Sequence, residues 1–383
     1  MRRLGAFLLA ITAMAVFASA DAGHEMPIYP SYYPQEIRIE TVAPGAAGPA
    51  LQEGRIQAYV GSEPTFAGAP GKALKAVETL GAFLVVDVNP DSPRAGGDGT
   101  GCAVARTVTA SLKGAAEGFR FHPYPVNGFH ADYLQHFDLA AQAKSRFSGP
   151  SGGVPGGLAV RAEGALAETL VRGRWSGAAT PWDATLREID LDRLLAGWRT
   201  AVNGWLGPPW LKEGWFHAYL LLAGTLTDSA AKGRVEALVG RLETGAFDGD
   251  VARINLERDL VKLLTGGCRR TVAGYRVRRE FFSDEFSSGV ENIAYDSHTG
   301  FNSAIFVRTV KLKDFPWNGW LALGIDGAPK AAWNPIGGFT DGAGRLIWWA
   351  VGDPALFPEP YNSGWTLNRV DTLREAQKKG SGR

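Results

Sequence analysis

Hydrophobic and polar positions alternate with period two from Glu36 to Val42 (Glu-Ile-Arg-Ile-Glu-Thr-Val), which predicts a half-buried strand. Arg55 to Val60, after the turn residue Gly54, predicts a second strand, and the apolar run Ala82 to Val88 a third, buried on both faces. Between and beyond them, Lys72 to Leu80, Thr100 to Gly114 and Ala131 to Lys144 read as helices, with a short strand at Phe119 to His122. This alternation predicts a sheet with helices packed on it.

The pattern then changes. Leu186, Ile189, Leu194, Leu195, Trp198, Ala201, Val202 and Trp205 recur at helical spacing, and Pro208-Pro209 ends that helix. Trp215 to Leu226 and Ser229 to Leu242 read as further helices, followed by Val251 to Leu264 with Asp250 as N-cap. After Cys268 the runs are strand-like again: Tyr275 to Phe282, Ala304 to Leu312, Trp320 to Ile325 and Leu346 to Val351. The expected fold class is α/β, with mixed α+β as the alternative. The expected divisions are a signal segment 1–22, an α/β domain 23–147, a linker 148–157, a helical segment 158–266, a strand-rich lobe 267–373 and a disordered tail 374–383. The linker reads Ser-Gly-Pro-Ser-Gly-Gly-Val-Pro-Gly-Gly, with too little side chain to offset its ordering entropy.

The first residues have the layout of an export signal: Arg2 and Arg3, an apolar stretch from Leu4 to Phe17, then small residues that permit cleavage after Ala20 or Ala22. A periplasmic or secreted location follows as an expectation, with no membrane insertion after cleavage. Without residues 1–22 the 40 basic side chains lose Arg2 and Arg3 and the 39 acidic ones lose Asp21, leaving 38 of each. Such a balance offers no attraction for nucleic acid or an anionic bilayer. In an oxidising compartment, Cys102 and Cys268 are expected to form one disulfide, with two separate buried thiols as the alternative.

Candidate chemistry concentrates in His122-Pro-Tyr-Pro-Val-Asn-Gly-Phe-His-Ala-Asp-Tyr-Leu-Gln-His136, which holds three of the six histidines. A helix from Ala131 would put Asp132 and His136 on one face, with His130 just before it. His130, Asp132 and His136 are therefore candidate zinc or copper ligands, although no cofactor is the primary expectation. His24, near the cleavage site, is a weaker copper candidate. The second concentration is aromatic: there are twelve tryptophans, and those of the C-terminal part stand among Asn and Asp residues in Gly/Pro-rich loops. Flat rings beside amides and carboxylates suit polar organic ligands. Asp284, Glu285, Asp296, Asp341 and Asp353 are the carboxylates nominated for acid–base work. Asp296-Ser297-His298 cannot form a triad among themselves, because adjacent strand positions face opposite ways. Phosphate-loop and dinucleotide signatures are absent from the sequence.

Residues 37–61 resemble the start of two-lobed periplasmic solute-binding proteins. The resemblance is carried by the strand Ile37 to Val42, a helical region around Ala46 to Glu53, and the phrase Gly54-Arg-Ile-Gln-Ala-Tyr-Val-Gly61, in which Gln57 stands where the family's phrase has Asp. It implies a binding or accessory protein without catalysis, holding a small polar solute between its lobes. His122, Tyr124, His130 and Tyr133 are expected on one wall and Trp333, Asp341 and Trp365 on the other. The implied partner is a membrane transporter or an envelope complex. Two alternatives stand beside it: an exported hydrolase acting on glycan or peptide, metal-assisted through His130, Asp132 and His136, and a structural partner in an envelope complex.

Overall fold

The computed structural model describes residues 33–95, 100–115, 118–148, 157–175, 181–199, 208–314, 319–330, 341–352 and 356–367. The signal segment, His24, most of the 148–157 linker, Trp333, Asp353 and the tail lie outside them. The strands are β1 (Glu36–Thr41), β2 (Ala58–Val60), β3 (Leu74–Val88), β4 (Phe119–Phe121), β5 (Val160–Glu163), β6 (Ala184–Asp190), β7 (Arg270–Ser283), β8 (Val290–Glu291), β9 (Lys311–Leu312), β10 (Trp320–Ile325), β11 (Leu356–Pro358) and β12 (Trp365–Leu367). The helices, numbered separately, are α1 (Pro44–Gln52), α2 (Thr100–Ser111), α3 (Tyr133–Ser148), α4 (Ala165–Val171), α5 (Leu191–Arg199), α6 (Gly214–Leu222), α7 (Ser229–Thr244), α8 (Gly249–Thr265), α9 (Ala304–Thr309) and α10 (Gly342–Val351). A 3-10 turn covers Pro209–Lys212.

Among the described residues one eight-stranded sheet runs β1-β10-β2-β7-β3-β6-β5, with β4 on β7. The architecture is mixed α/β. Strands before residue 190 and after 270 share this sheet, so the segments 23–147 and 267–373 are interleaved rather than stacked. β1, β10 and β2 are mutually parallel, whereas β2 and β3 meet β7 antiparallel. The carboxyl ends of the parallel group therefore lie beside a change of strand direction.

β3 is the backbone of the core. Phe83 and Val85 point into a cluster with α6, α7 and α8, while Leu84, Val86 and Val88 point into one with α2 and α4. Burial on both faces explains why this stretch is apolar without alternation. At the other end of the sheet, β10 sends Leu321, Leu323 and Ile325 toward α9 and α10, and Ala322 toward α1. Cys102 on α2 and Cys268 before β7 form a disulfide across a sequence separation of 166.

Four expected elements differ. Lys72 to Leu80 is strand, not helix, because β7 supplies a hydrogen-bonding partner from Leu74 onward. Leu186 and Ile189 belong to β6, paired with β3, and the helix begins only at Leu191. Ala304 to Thr309 and Gly342 to Val351 are helices where strands were expected. In the second case Asp341 accepts from Gly344 N at 2.7 Å and caps the helix.

Candidate functional site

The histidine-rich corner folds inward. Asp132 precedes α3, and its carboxylate crosses to the first turn of α6, accepting from Gly214 N at 2.7 Å and Trp215 N at 3.1 Å. It satisfies amide groups that the start of a helix leaves without intrahelical partners. Burial, then the nearby Glu213, pushes its carboxyl well above the usual range, while the two amides act in the opposite direction.

The imidazoles of the corner form a chain whose proton positions follow from its partners. Asn127 N donates to His130 Nδ1 at 2.9 Å, so neutral His130 carries its proton on Nε2. That nitrogen lies 2.9 Å from His217 Nδ1, and His217 Nε2 lies 2.9 Å from Leu211 O. The consistent assignment runs Asn127 to His130 to His217 to Leu211, each imidazole neutral. Burial, followed by the neighbouring His217, pushes His130 well below the ordinary histidine range. His298 completes the group: its ring stands 5.7 Å from that of His130 and 5.2 Å from that of His217, and its Nε2 meets Phe129 O at 3.2 Å. Tyr124 Oη and His136 Nδ1 are 2.8 Å apart, and His122 Nε2 is 2.7 Å from Val126 O. Tyr133, half-buried, sits beside the His122 ring.

These bonds engage most of the atoms expected to ligate zinc or copper. His130 uses one ring nitrogen as acceptor and the other as donor, and both Asp132 oxygens accept amides. His136 Nε2 does face Asp132 Oδ2, at 3.8 Å. Even so, no group of three or more His, Cys, Asp or Glu among the described residues is placed to hold a metal ion. His130, Asp132 and His136 thus belong to a buried hydrogen-bonded network.

Open space lies on the other side of His298. A cavity of about 120 Å³ is lined by His298, Thr299, Asn302 and Ser303 from the loop before α9, and by Arg345 and Trp349 of α10. Leu195, Pro208, Leu211 and Lys212 close one side, and Pro358 and Asn362 to Trp365 of the β11–β12 hairpin close the other. A second cavity of about 450 Å³ adjoins it along Thr299, Asn302 and Arg345, and the two are taken together as one cleft. This second chamber lies at the ends of β2 and β10: Val60, Gly61, Ile325, Asp326, Gly327 and Ala328 line it, together with Asp192, Arg278, Lys330 and Asp341. Crevices beyond the carboxyl ends of parallel strands, where strand order or direction changes, are the usual ligand sites of open α/β sheets.

The floor between the chambers is a charged layer. Arg278 donates to His298 O at 2.8 Å and to Asp192 at 3.2 Å, and its Nε lies 3.6 Å from Glu280 Oε1. Fully buried Glu280 accepts from Phe301 N at 2.6 Å and Gly61 N at 3.2 Å, tying the cleft loop to the end of β2. Burial lifts its carboxyl to about 7 despite Arg278. Gly300 makes this possible: its φ is +65°, and a Cβ there would fall on the Glu280 carboxylate. Asp296 Oδ1 accepts from His298 N at 2.9 Å and Thr299 N at 3.0 Å, while Oδ2 pairs with Lys212. Asp296 and His298 thus shape the loop, with no nucleophile–base contact between them.

Of the expected ligand-binding residues, Asp341 and Trp365 line the cleft. His122, His130 and Tyr133 do not; they stand behind His298. Tyr124 lines a separate cavity between α3 and α8. Of the nominated carboxylates, Asp284 pairs with Lys75 and Lys313, and exposed Glu285 closes a turn with Ser287 and Ser288. The residues that the pattern missed are Lys212, Thr299, Asn302 and Arg345. Only the Gly/Asn-rich turn around Thr299–Asn302 offered a local signal.

No family profile matches this sequence, and no curated protein matches it. Among solved structures it is similar to HbpA2 from Haemophilus parasuis, with 11% identity, TM-score 0.38 and coverage of 69% of this chain and 55% of that one. The oligopeptide-binding protein AppA from Bacillus subtilis, in complex with a nonapeptide, gives 11%, 0.37, 71% and 59% on the same measures. A nickel ABC transporter structure from Bacillus halodurans gives 12%, 0.36, 65% and 57%. The chain spans just over half the length of these proteins. Its reading rests on its own sheet, cavities and polar atoms.

Proposed function

We propose that this chain is an exported solute-binding protein. It holds a small polar or amphipathic solute in the cleft where Thr299, Asn302 and Arg345 meet, and hands it to a membrane transporter. The supporting observation is the cleft itself: two adjoining cavities, the second at the carboxyl ends of β2 and β10, with polar groups converging at the junction. The signal-like start supports a periplasmic or secreted location. In this reading the histidine network is scaffold, and its contact with the cleft runs through His298.

A thermal-shift screen of the purified mature chain against sugars, organic acids, amino acids and short peptides tests the proposal. A true solute at 100 times its Kd adds roughly 2.7 kcal/mol to stability. Arg345→Gln should abolish the shift, read against the variant's own unliganded melting temperature. No shift with any class, or a shift untouched by Arg345→Gln, would overturn it.

A further inference from the structure

Beside the eight-stranded sheet stands a hairpin that belongs to no larger layer. Among the described residues β11 and β12 pair only with each other: Leu356 with Leu367, Phe357 with Thr366 and Pro358 with Trp365. A two-stranded hairpin is marginally stable in water, so its position is set by the contacts it makes with the body. Its inner side, Pro358 and Asn362 to Trp365, forms one wall of the first chamber. Tyr361 and Leu367 on the hairpin are exposed.

The contacts with the body fall into two groups. Near the start of the hairpin, Phe357 is buried in the apolar cluster of α9 and α10, with the Arg308 guanidinium 5.6 Å from its ring centroid. At the tip, Pro360 O accepts from Ser297 N at 2.9 Å, the Tyr361 ring stands 5.9 Å from that of Tyr295, and Glu359 O accepts from Lys212 Nζ. Lys212 also pairs with Asp296, so one ammonium joins the turn before α6, the loop before α9 and the hairpin. Glu359 N donates to Gly364 O at 3.1 Å, which closes the tip on itself as a unit. The chamber behind this wall measures about 120 Å³, well below the roughly 300–1,000 Å³ of small-molecule sites, so a solute entering it requires a wall to move.

We propose that the β11–β12 hairpin is a lid on the first chamber, anchored by Phe357 and held shut by Lys212. Segments with few buried apolar contacts open locally while the core stays folded. What the lid covers rests on the binding role proposed above, whereas its motion is tested without any solute.

Thiol labelling of the purified protein tests it. Both cysteines are held in the disulfide, so an introduced thiol is the one that reacts. Ser363 Oγ is buried, and Ser363 lines the chamber. The thiol of Ser363→Cys should therefore react with an aromatic disulfide reagent at least roughly a hundredfold more slowly than that of Ser288→Cys, on an exposed turn, yet faster than the amides of β3 and β7 exchange hydrogen. Adding Lys212→Met should accelerate the labelling of Ser363→Cys at least about tenfold, as expected for a lost hydrogen bond to a charged group. Tyr361→Ala, which removes the ring contact with Tyr295 and leaves the Lys212 bridge in place, should accelerate it about threefold. Exchange in β3 and β7 should stay unchanged in both. Labelling of Ser363→Cys as fast as that of Ser288→Cys would show a hairpin that is never shut, and labelling only at the exchange rate of β3 and β7 one that never opens by itself. Either overturns the lid, as does acceleration by neither variant. Should Lys212→Met fold poorly, the unmodified latch and Tyr361→Ala still decide. None of these outcomes bears on whether a solute binds, which the thermal-shift screen decides.

Discussion

Two regions of this molecule are rich in polar side chains, and they use them in opposite ways. In the histidine core, Asn127, His130, His217 and Leu211 form one chain of donors and acceptors, and Asp132 is spent on the amides of α6. In the cleft, Thr299, Asn302 and Arg345 surround space. A cluster of ligand-type residues is therefore a poor guide to a site. The histidine core bonds its polar atoms to one another, whereas the cleft residues border open space.

That contrast predicts unequal costs. The largest belongs to the charged floor. Arg278→Met leaves buried Glu280 without its paired cation, and unfolding free energy at about pH 9, where the Glu280 carboxyl is ionised, should fall by about 3–5 kcal/mol in urea titration. A loss below about 1 kcal/mol would mean that Glu280 is already neutral there. Asp132→Ala leaves two buried amides of α6 unpaired and should cost about 2–3 kcal/mol, with α6 becoming the first region to exchange amide hydrogens. Retention of α6 protection would remove Asp132 from its anchoring role.

The pH response of the two regions differs in sign. His136 is held down to about 4 by burial, followed by the charge of Arg258. Its unfolded form titrates near 6.5. Below about pH 6.5 the unfolded chain gains a proton that the folded one refuses, so stability falls as pH drops toward 4. Glu280 is raised from 4.5 to about 7, so the folded chain keeps a proton that the unfolded one has lost. Its penalty grows as pH rises from about 4.5 to 7 and then levels off. His136→Phe should therefore flatten the acid side of the stability curve, by at most about 3 kcal/mol between pH 6.5 and 4. Glu280→Gln should flatten the rise in penalty toward pH 7. Parallel curves for wild type and either variant would show that the residue does not titrate as its surroundings dictate.

Much of the fold was legible in the chain. The alternation of β1, the doubly buried run in β3 and the helices α7 and α8 follow from periodicity, although Asp250, expected as the N-cap of α8, lies inside its first turn, with Asp248 at the cap position. Short apolar runs were not legible. Leu346 to Val351 fits a strand or a buried helix equally, and only the cap from Asp341 decides. Lys72 to Leu80 contains good helix formers, yet tertiary pairing with β7 overrides that preference. The cysteine pair was legible because only two cysteines exist to pair.

The site was legible only at its margins. Asp341 and Trp365 line the cleft as expected. Asn302 and Arg345 lie 43 positions apart, on a loop and a helix, and the ends of β2 and β10 come from more distant segments still. No local spacing carries that convergence. The histidine corner misled for the opposite reason: its residues are close in sequence and close in space, but they are bonded to one another.

Hydrogen–deuterium exchange with and without a bound solute tests the central claim most directly. With a thermal-shift hit at saturation, added protection should appear at residues 296–304 and 341–349 and be absent at 127–136. Protection at 127–136 alone would make the histidine region the site and the cleft mere surface.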